Sequence, residues 1–587
     1  LDSTQTMRAP APAATTPAGW SGRHAVELYV RTYSTMLQSS GEIRLDTLSH
    51  AHLGMASSLH PLAGQPQMDM GAFLYSVRRL PLAISRAGRV ILGQSEHGFR
   101  AVLGLEVAGW ERVKAPARRR PWYSDGEGTL AVLLASPSDI DDLVPTLVAF
   151  QIEWNKLHRA VADVGDDGER VRQLVQASEE DWGRLRDTWG EDFEATLAHA
   201  GRHECRLTIR MVGGSHVGYA RGASLWWTPI QSAIDGLGLS DASVYFVSSN
   251  VHSLVNVLSG VARRFEAEIV DFTRQDDPEL AAELRKLESG QTPASRDNWL
   301  YFAARGLFDH HPRADELRRR RTEMEREVGI RHVPPQAIGI DSAAQVVRLA
   351  GLDPTCLDPR VGEVDAEALR RSRAAIVNID YPLGLAAYHI LRQVAEASPW
   401  LLGVYVMGKA ATLNADVGDV MIPSAVYNEH SGNTYWLDNC FTAADVQRSL
   451  VFGSVLDNQR AVTVRGTFLQ NLDYLEFYYQ GRYTVVEMEV GPYLDACFEI
   501  QEPGRYPMNE NVSMTRPSLD LGIVHYASDT PYTQARTLGA RGLSYYGLDS
   551  TYASSVAILR RILAQEQVLT ADVASPRWAD AGARQGA

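Results

Sequence analysis

Apolar residues recur at three- and four-residue spacing across His24–Leu37, Met70–Leu92 and Ile140–Val161, the period of helices with one buried face. Ser138 and Asp139 give the third a start signal, with Asp141 and Asp142 in its first turn, and Pro145 is expected to open the main helix after a short turn. Glu169–Trp189 is a more polar helical stretch. The texture then changes. Cys205–Val212, Ser243–Ser248 and a short Glu268–Phe272 read as strands, with helices at Ser224–Leu237 and Val251–Phe265. Helical patterns follow at Pro278–Leu287, Asn298–Phe308 and Ala314–Val328, the last heavily charged. A final set of strands is predicted at Ala337–Ile340, Ala375–Ile379, Leu402–Met407, Asp419–Ile422, Arg460–Val464, Thr484–Glu487 and Leu521–Tyr526. Helices fall among and after them, at Leu385–Ala395, Gly491–Ile500 and Ser550–Gln565. Strands alternating with helices predict an α/β fold with a parallel sheet.

The pattern divides the chain into a disordered lead (1–19), a mainly helical region (20–200), a middle α/β unit with a helical extension (201–330), a last α/β domain (337–567) and a loose tail (568–587). Composition narrows the function classes. The 587 residues are 45% hydrophobic and 22% charged, which excludes a mostly disordered or low-complexity chain. With 57 Lys and Arg against 71 Asp and Glu, the net charge is −14, so neither nucleic acid nor an anionic membrane surface is an expected partner. No apolar stretch reaches the ~18 residues of a membrane span. Cys205, Cys356, Cys440 and Cys497 form no CxxC pair and fit free thiols in a reducing, cytoplasmic setting. Leu1–Thr6 reads as a non-native lead before Met7, and Ala/Pro/Thr-rich Arg8–Gly19 lacks the apolar centre of a signal peptide. His50 and His52, and His310 with His311, have no partners at metal-ligand spacing, so no metal and no cofactor are expected.

Candidate chemistry gathers in three late segments. Val404–Pro423 (VYVMGKAATLNADVGDVMIP) runs from an apolar strand through Gly408 to Gly418-Asp419 and a second strand. Val485–Val490 (VVEMEV) places two acids around Met488, and Ile523–Thr530 (IVHYASDT) delivers Ser528 and Asp529 at a strand's carboxyl end. Polar groups at the ends of successive parallel strands converge on one crevice. Taken alone, Ser528-Asp529 reads as a helix cap, Met488 as core and the glycines as turns.

In this order the segments resemble the nucleoside phosphorylase and nucleosidase superfamily, which includes purine nucleoside phosphorylase, methylthioadenosine nucleosidase and AMP nucleosidase. There the first segment reads like GSAGxLxxxxxxGDxVxP, the second like VEMEA and the third like ISDxA. Asp380–Tyr388, with Gly384, resembles the family's GxGKxxAA loop. The resemblance covers roughly Ala337–Gln565. It implies a three-layer α/β domain that cleaves the N-glycosidic bond of a purine-type nucleoside or nucleotide, in a homo-oligomer. It assigns Glu489 to the ribose hydroxyls, Met488 to the sugar face, and Asp529, beside Ser528, to hydrogen-bonding or protonating the leaving base. Such an acid needs a raised pKa and contributes roughly 10²–10⁴-fold. Gly384 and Gly408 would shape the binding loops, and Phe468 or Tyr526 would stack on the base.

The departures matter as much. The family's phosphate-binding arginine would stand where this chain has Val406, and the serine after Gly408 is replaced by Lys409. Hydrolysis is therefore favoured over phosphorolysis, unless Lys409 supplies the charge. Lys409 otherwise holds a substrate 5′-phosphate or is a surface lysine at a turn. The base for an attacking water falls to Asp341 or Asp380. Glu487 is a second sugar ligand if the strand continues through Glu489, and a salt-bridge partner if it turns first. Gly213–His216 and Ser248–Asn250, near Arg221 and His252, are a glycine turn and a helix cap, or else an effector or phosphosugar site built of backbone N–H groups. The rival to an enzyme is a nucleotide-sensing protein whose amino-terminal half carries the activity.

Overall fold

The computed structural model describes residues 18–39, 41–165, 167–336, 339–515, 518–529 and 547–570. Outside them lie residues 1–17 of the expected lead with Met7, Ala337 and Ile338 of one expected strand, Thr530 of the third segment, and the expected tail from 571 onward.

The protein is α/β and is built on two sheets. The smaller has six strands: β1 (Ile43–Arg44), β2 (Arg89–Gly93), β3 (Glu111–Ala115), β4 (Arg118–Ser124), β5 (Thr129–Leu133) and β6 (Thr208–Val212), in the order β1-β6-β2-β5-β4-β3. Five of them fall in the stretch expected to be mainly helical. The helix expected over Met70–Leu92 stops at Arg79, because Pro81 disfavours helical backbone at Leu80, which is extended. A short 3₁₀ turn then leads into β2. Pro145 does not open a helix. It lies inside the unbroken helix Pro137–Val164, which Pro137 begins and Ser136 and Asp139 cap reciprocally.

The larger sheet has eleven strands: β7 (Ser243–Ser249), β8 (Ile330–Val333), β9 (Ala344–Arg348), β10 (Ala374–Asp380), β11 (Leu401–Thr412), β12 (Val420–Asn428), β13 (Thr434–Leu437), β14 (Val455–Thr463), β15 (Val485–Glu487), β16 (Asn511–Met514) and β17 (Asp520–Asp529). The segment 201–330 is therefore not one unit. Its first strand, β6, joins the small sheet, whereas β7 sits between β10 and β11 at the centre of the large one. Glu268–Phe272, expected as a strand, lies inside the helix Glu266–Asp276. Gly339 and Ile340 are not in a strand.

Alternation along the central strands makes the large sheet the middle of three layers. Tyr245, Val247, Ile376, Tyr405 and Met407 pack on one face with Leu254, Trp299 and Val556 of covering helices. Their neighbours Val244, Phe246, Ala375, Val377, Val404 and Val406 pack on the other with Trp226, Ile390 and Leu494. Each fully buried Val, Leu, Ile, Phe or Met side chain among them contributes about 1.5–3 kcal/mol, and a shift of register by one residue would exchange the two cores. Beyond its pairing with β7, the long β11 runs on into a closed ring. β11 pairs with β15, β15 with β14, β14 with β12, β12 with β17, and β17 with β11 again.

Candidate active site

Strands β7, β10, β11 and β17 are parallel, so their carboxyl ends share one edge of the sheet. There the small-sheet region docks, and a cavity of about 510 Å³ lies between the two. The large sheet contributes Asn250 and His252 after β7, Asp380–Leu383 after β10, Lys409 of β11, Tyr526 of β17, and Glu489. The other wall is Arg118–Arg120 of β4 with Asp139, and the segment Gly339–Ser342 completes the lining.

Two glycines set the loop geometry. Gly408 packs against the Tyr381 ring, and a Cβ there would overlap the phenol oxygen. That hydroxyl is buried beside the cavity without a hydrogen-bond partner among the described residues. Gly384 has φ +52°, and a Cβ on it would lie 2.6 Å from Ser138 Cβ. The Ser138 hydroxyl accepts from the Leu385 amide at 2.9 Å, which ties the start of the helix Ala386–Ala397 to the start of Pro137–Val164.

Glu489 lies at the turn from β15 into the helix Val490–Gln501 and lines the cavity. Burial, and then the neighbouring Glu487, push its carboxyl up to about 8, although the Gly384 amide and the Arg118 charge favour the anion. Glu487 does not line the cavity and forms no salt bridge among the described residues. Its carboxylate is buried, accepts the Thr463 hydroxyl, and takes the amides of Glu489 and Val490 at 2.6 and 2.7 Å. It thus caps the helix that follows. Met488 is half-buried and packs with Val464, Tyr474 and Val486.

Asp529 is 3% exposed and does not itself line the cavity. Its residue pairs with Ala411, which pairs on its other side with Val486 of β15, so the second and third motifs flank the same point of β11. Burial pushes the Asp529 carboxyl up to about 6, against the Ser528 hydroxyl and the charges of Lys409 and Arg79. Ser528 Oγ lies 3.3 Å from Asp529 Oδ1. Lys409, whose charge favours the Asp529 anion, lines the cavity.

Phe468 is elsewhere. It is 2% exposed and packs with Leu59, Ala72 and Tyr75 of the small-sheet region, because the loop after β14 meets that region and not the cavity. Of the two aromatics considered for stacking, only Tyr526 lines the cavity. Val406 points into the core. Asp341 and Asp380 both line the cavity. Arg119 pairs with Asp380, approaches Asp341 at 3.8 Å and donates to the Tyr381 carbonyl at 2.6 Å. Burial raises the Asp341 pKa, while Arg119 opposes.

The arginine wall escaped the sequence reading. Arg118 and Arg120 carry no motif, and only the fold turns them to the cavity, where Asp142 and Asp139 hold them at 2.7 Å. Asn250 and His252 did leave a signal, in the loop after Ser248. They reach the main cavity, while Gly213–His216 follows β6 of the other sheet, so the two loops form no common site. Among the described residues no group of three or more His, Cys, Asp or Glu is placed to hold a metal ion, and no helix is long and apolar enough to cross a membrane.

Among solved structures, a putative methylthioadenosine nucleosidase from Weissella paramesenteroides is 10% identical, covering 55% of this chain and 99% of its own, with a TM-score of 0.28. A 5′-methylthioadenosine/S-adenosylhomocysteine nucleosidase from Neisseria meningitidis is 15% identical over 40% and 93% of the two chains, with a TM-score of 0.27. Uridine phosphorylase from Schistosoma mansoni is 9% identical over 57% and 91%, also at 0.27. No curated protein matches the chain. A family model described as a family of unknown function, DUF6909, matches residues 45–564, from β2 through β17, and the protein belongs to that family.

Proposed function

We propose that the protein cleaves the N-glycosidic bond of a purine-type nucleoside or nucleotide, with water as the attacking group. The observation that carries this reading is the meeting of the three motifs at one place. Glu489 and Lys409 line a single cavity, and Asp529 is held in register two residues along from Lys409. Breaking the bond leaves positive charge on the sugar and negative charge on the base. An acid poised near neutral pH is matched to the second task, and Asp529, at about 6, is so poised. Glu489, neutral below about 8, donates to one hydroxyl of a sugar diol and accepts from the other. Asp341 is the base for water, with Arg119 fixing its neighbour Asp380. Water is preferred to phosphate because Val406, in the core, stands where the superfamily that the motifs resemble has its phosphate-binding arginine. The three arginines of the wall already face Asp139, Asp142, Asp341 and Asp380.

One observation favours a second reading, a nucleotide-binding protein without turnover: Asp529 is buried outside the cavity lining. Incubation with a panel of nucleosides and nucleotides, with and without phosphate, separates the two. Free base without phosphate supports hydrolysis. Base with sugar 1-phosphate replaces water by phosphate. Tight binding with neither product overturns the enzyme in favour of the sensor.

A further inference from the structure

A second cavity, of about 330 Å³, lies between the helix Ala18–Ser39 and the loops that follow β12 and β14. Arg23, Arg31, Glu429, His430, Arg465 and Tyr474 line it, together with Glu27. The proposed nucleoside chemistry uses none of them. Three guanidinium groups face two lining carboxyls, and the buried Asp141 carboxyl lies within electrostatic reach of Arg465. Arg23 is already paired with Glu27 at 2.7 Å.

Arg465 is the unusual member. Its backbone amide donates to Glu429 at 3.0 Å. Its guanidinium makes no hydrogen bond or ion pair within the described residues, and its Nε is buried. Leaving a charged donor unsatisfied out of water costs more than a typical hydrogen bond returns. His430 presents a second buried nitrogen, Nε2, without a partner among the described residues. Burial and the Arg465 charge hold that ring neutral, its pKa lowered to about 3. Glu429 is not free to satisfy Arg465 fully, because it also accepts the Tyr478 hydroxyl at 2.7 Å. A guanidinium is a planar fork matched to two oxygens of one oxyanion.

We propose that this second cavity binds a small molecule through one oxyanion group, a carboxylate or a phosphate, seated on Arg465. The volume exceeds that of the oxyanion alone, so the remainder of the ligand occupies the space toward Tyr474 and Arg31. The proposal is independent of the nucleoside reading, since no residue is shared between the two cavities.

The test is calorimetric titration of the full chain with sodium acetate and with inorganic phosphate, at ionic strength balanced by chloride. Wild type, Arg465→Gln and Arg119→Gln are compared. At least one anion binds the wild type, Arg465→Gln weakens it tenfold or more, and Arg119→Gln changes it less than twofold. Acetate alone marks a carboxylate ligand, and phosphate alone a phosphorylated one. Binding of neither anion, equal binding by wild type and Arg465→Gln, or loss confined to Arg119→Gln overturns the proposal. Thermal melting without added anion is the control on the guanidinium itself. Arg465 also faces the Asp141 and Glu429 carboxyls, so Arg465→Gln is expected to lower Tm by less than about 3 °C, and a larger fall shows a structural role and also overturns the proposal.

Discussion

The hydroxyl of Ser138 occupies the space that a side chain on Gly384 would need. One residue opens the long helix of the small-sheet region, and the other lies in the loop after β10, so the contact fixes how the two halves of the cavity meet. Gly384→Ala adds both a clash and a strained backbone at φ +52°. A loss of about 1–3 kcal/mol is expected, read as a lower Tm. Ser138→Gly relieves the clash but also removes the acceptor of the Leu385 amide, so the double variant is compared with Ser138→Gly alone, and the loss that remains is the part due to φ.

Asp529→Asn keeps the size of the side chain and removes its proton. Turnover is expected to fall by roughly 10²–10⁴-fold, with nucleoside affinity changed little. Steady-state kinetics beside equilibrium binding make the comparison. Unchanged turnover would remove Asp529 from the chemistry and leave the cavity as a binding site.

Glu489 makes stability depend on pH in a direction that can be worked out. Its pKa rises from 4.5 to about 8 on folding, so between these values the native state binds more protons than the unfolded chain. The stabilisation is complete below 4.5 and is lost as the pH rises through 8. Glu489→Gln is expected to flatten the fall of Tm over that window, with the remaining slope due to other buried acids raised by burial, Glu487, Asp529 and Asp495 among them. Melts from pH 4.5 to 8.5 measure both slopes.

Arg119 holds Asp341 toward its charged form. Arg119→Gln removes that charge and should move the acidic limb of the kcat/KM profile to higher pH. The side chain is 45% exposed, so the cost in stability should stay below about 1 kcal/mol. A profile that does not move would take Asp341 out of the role of base.

Phe468→Ala separates packing from binding. Truncating a buried phenylalanine costs about 3–5 kcal/mol, and here it opens the seam with Tyr75, His52 and His60. The expected signature is a large drop in Tm with unchanged KM for the protein that remains folded.

How far each feature could be read from the chain follows from how local its cause is. The central strands of the large sheet were legible, since an apolar run such as Val404, Tyr405, Val406, Met407 declares itself residue by residue, whereas the partition of their side chains between two faces came from the fold. The small sheet was not, apart from β6. Its strands are five to seven residues long, apart from the two of β1, and β2 is continuous with a helical pattern that only Pro81 interrupts. Glu489, Gly384 and Lys409 could be placed from motif order. Arg118–Arg120 could not, because a run of three arginines has no meaning until β4 is laid against the end of β10. The role of Glu487 depended on where β15 stops, a boundary that periodicity does not fix. Phe468 was misread because an aromatic after a strand looks the same whether it faces a ligand or another part of the chain.

The circuit formed by β11, β15, β14, β12 and β17 has a consequence for how such a protein diversifies. Every member has a neighbour on both sides, so a residue gained or lost within a strand must be absorbed in its pairing, as the register shifts at Ala410–Ala411 and Met421–Ala425 are. Variation in length is thereby driven out to the connecting loops and to the arginine-bearing wall. Relatives that act on different compounds should keep the barrel intact and differ in what is laid across its mouth.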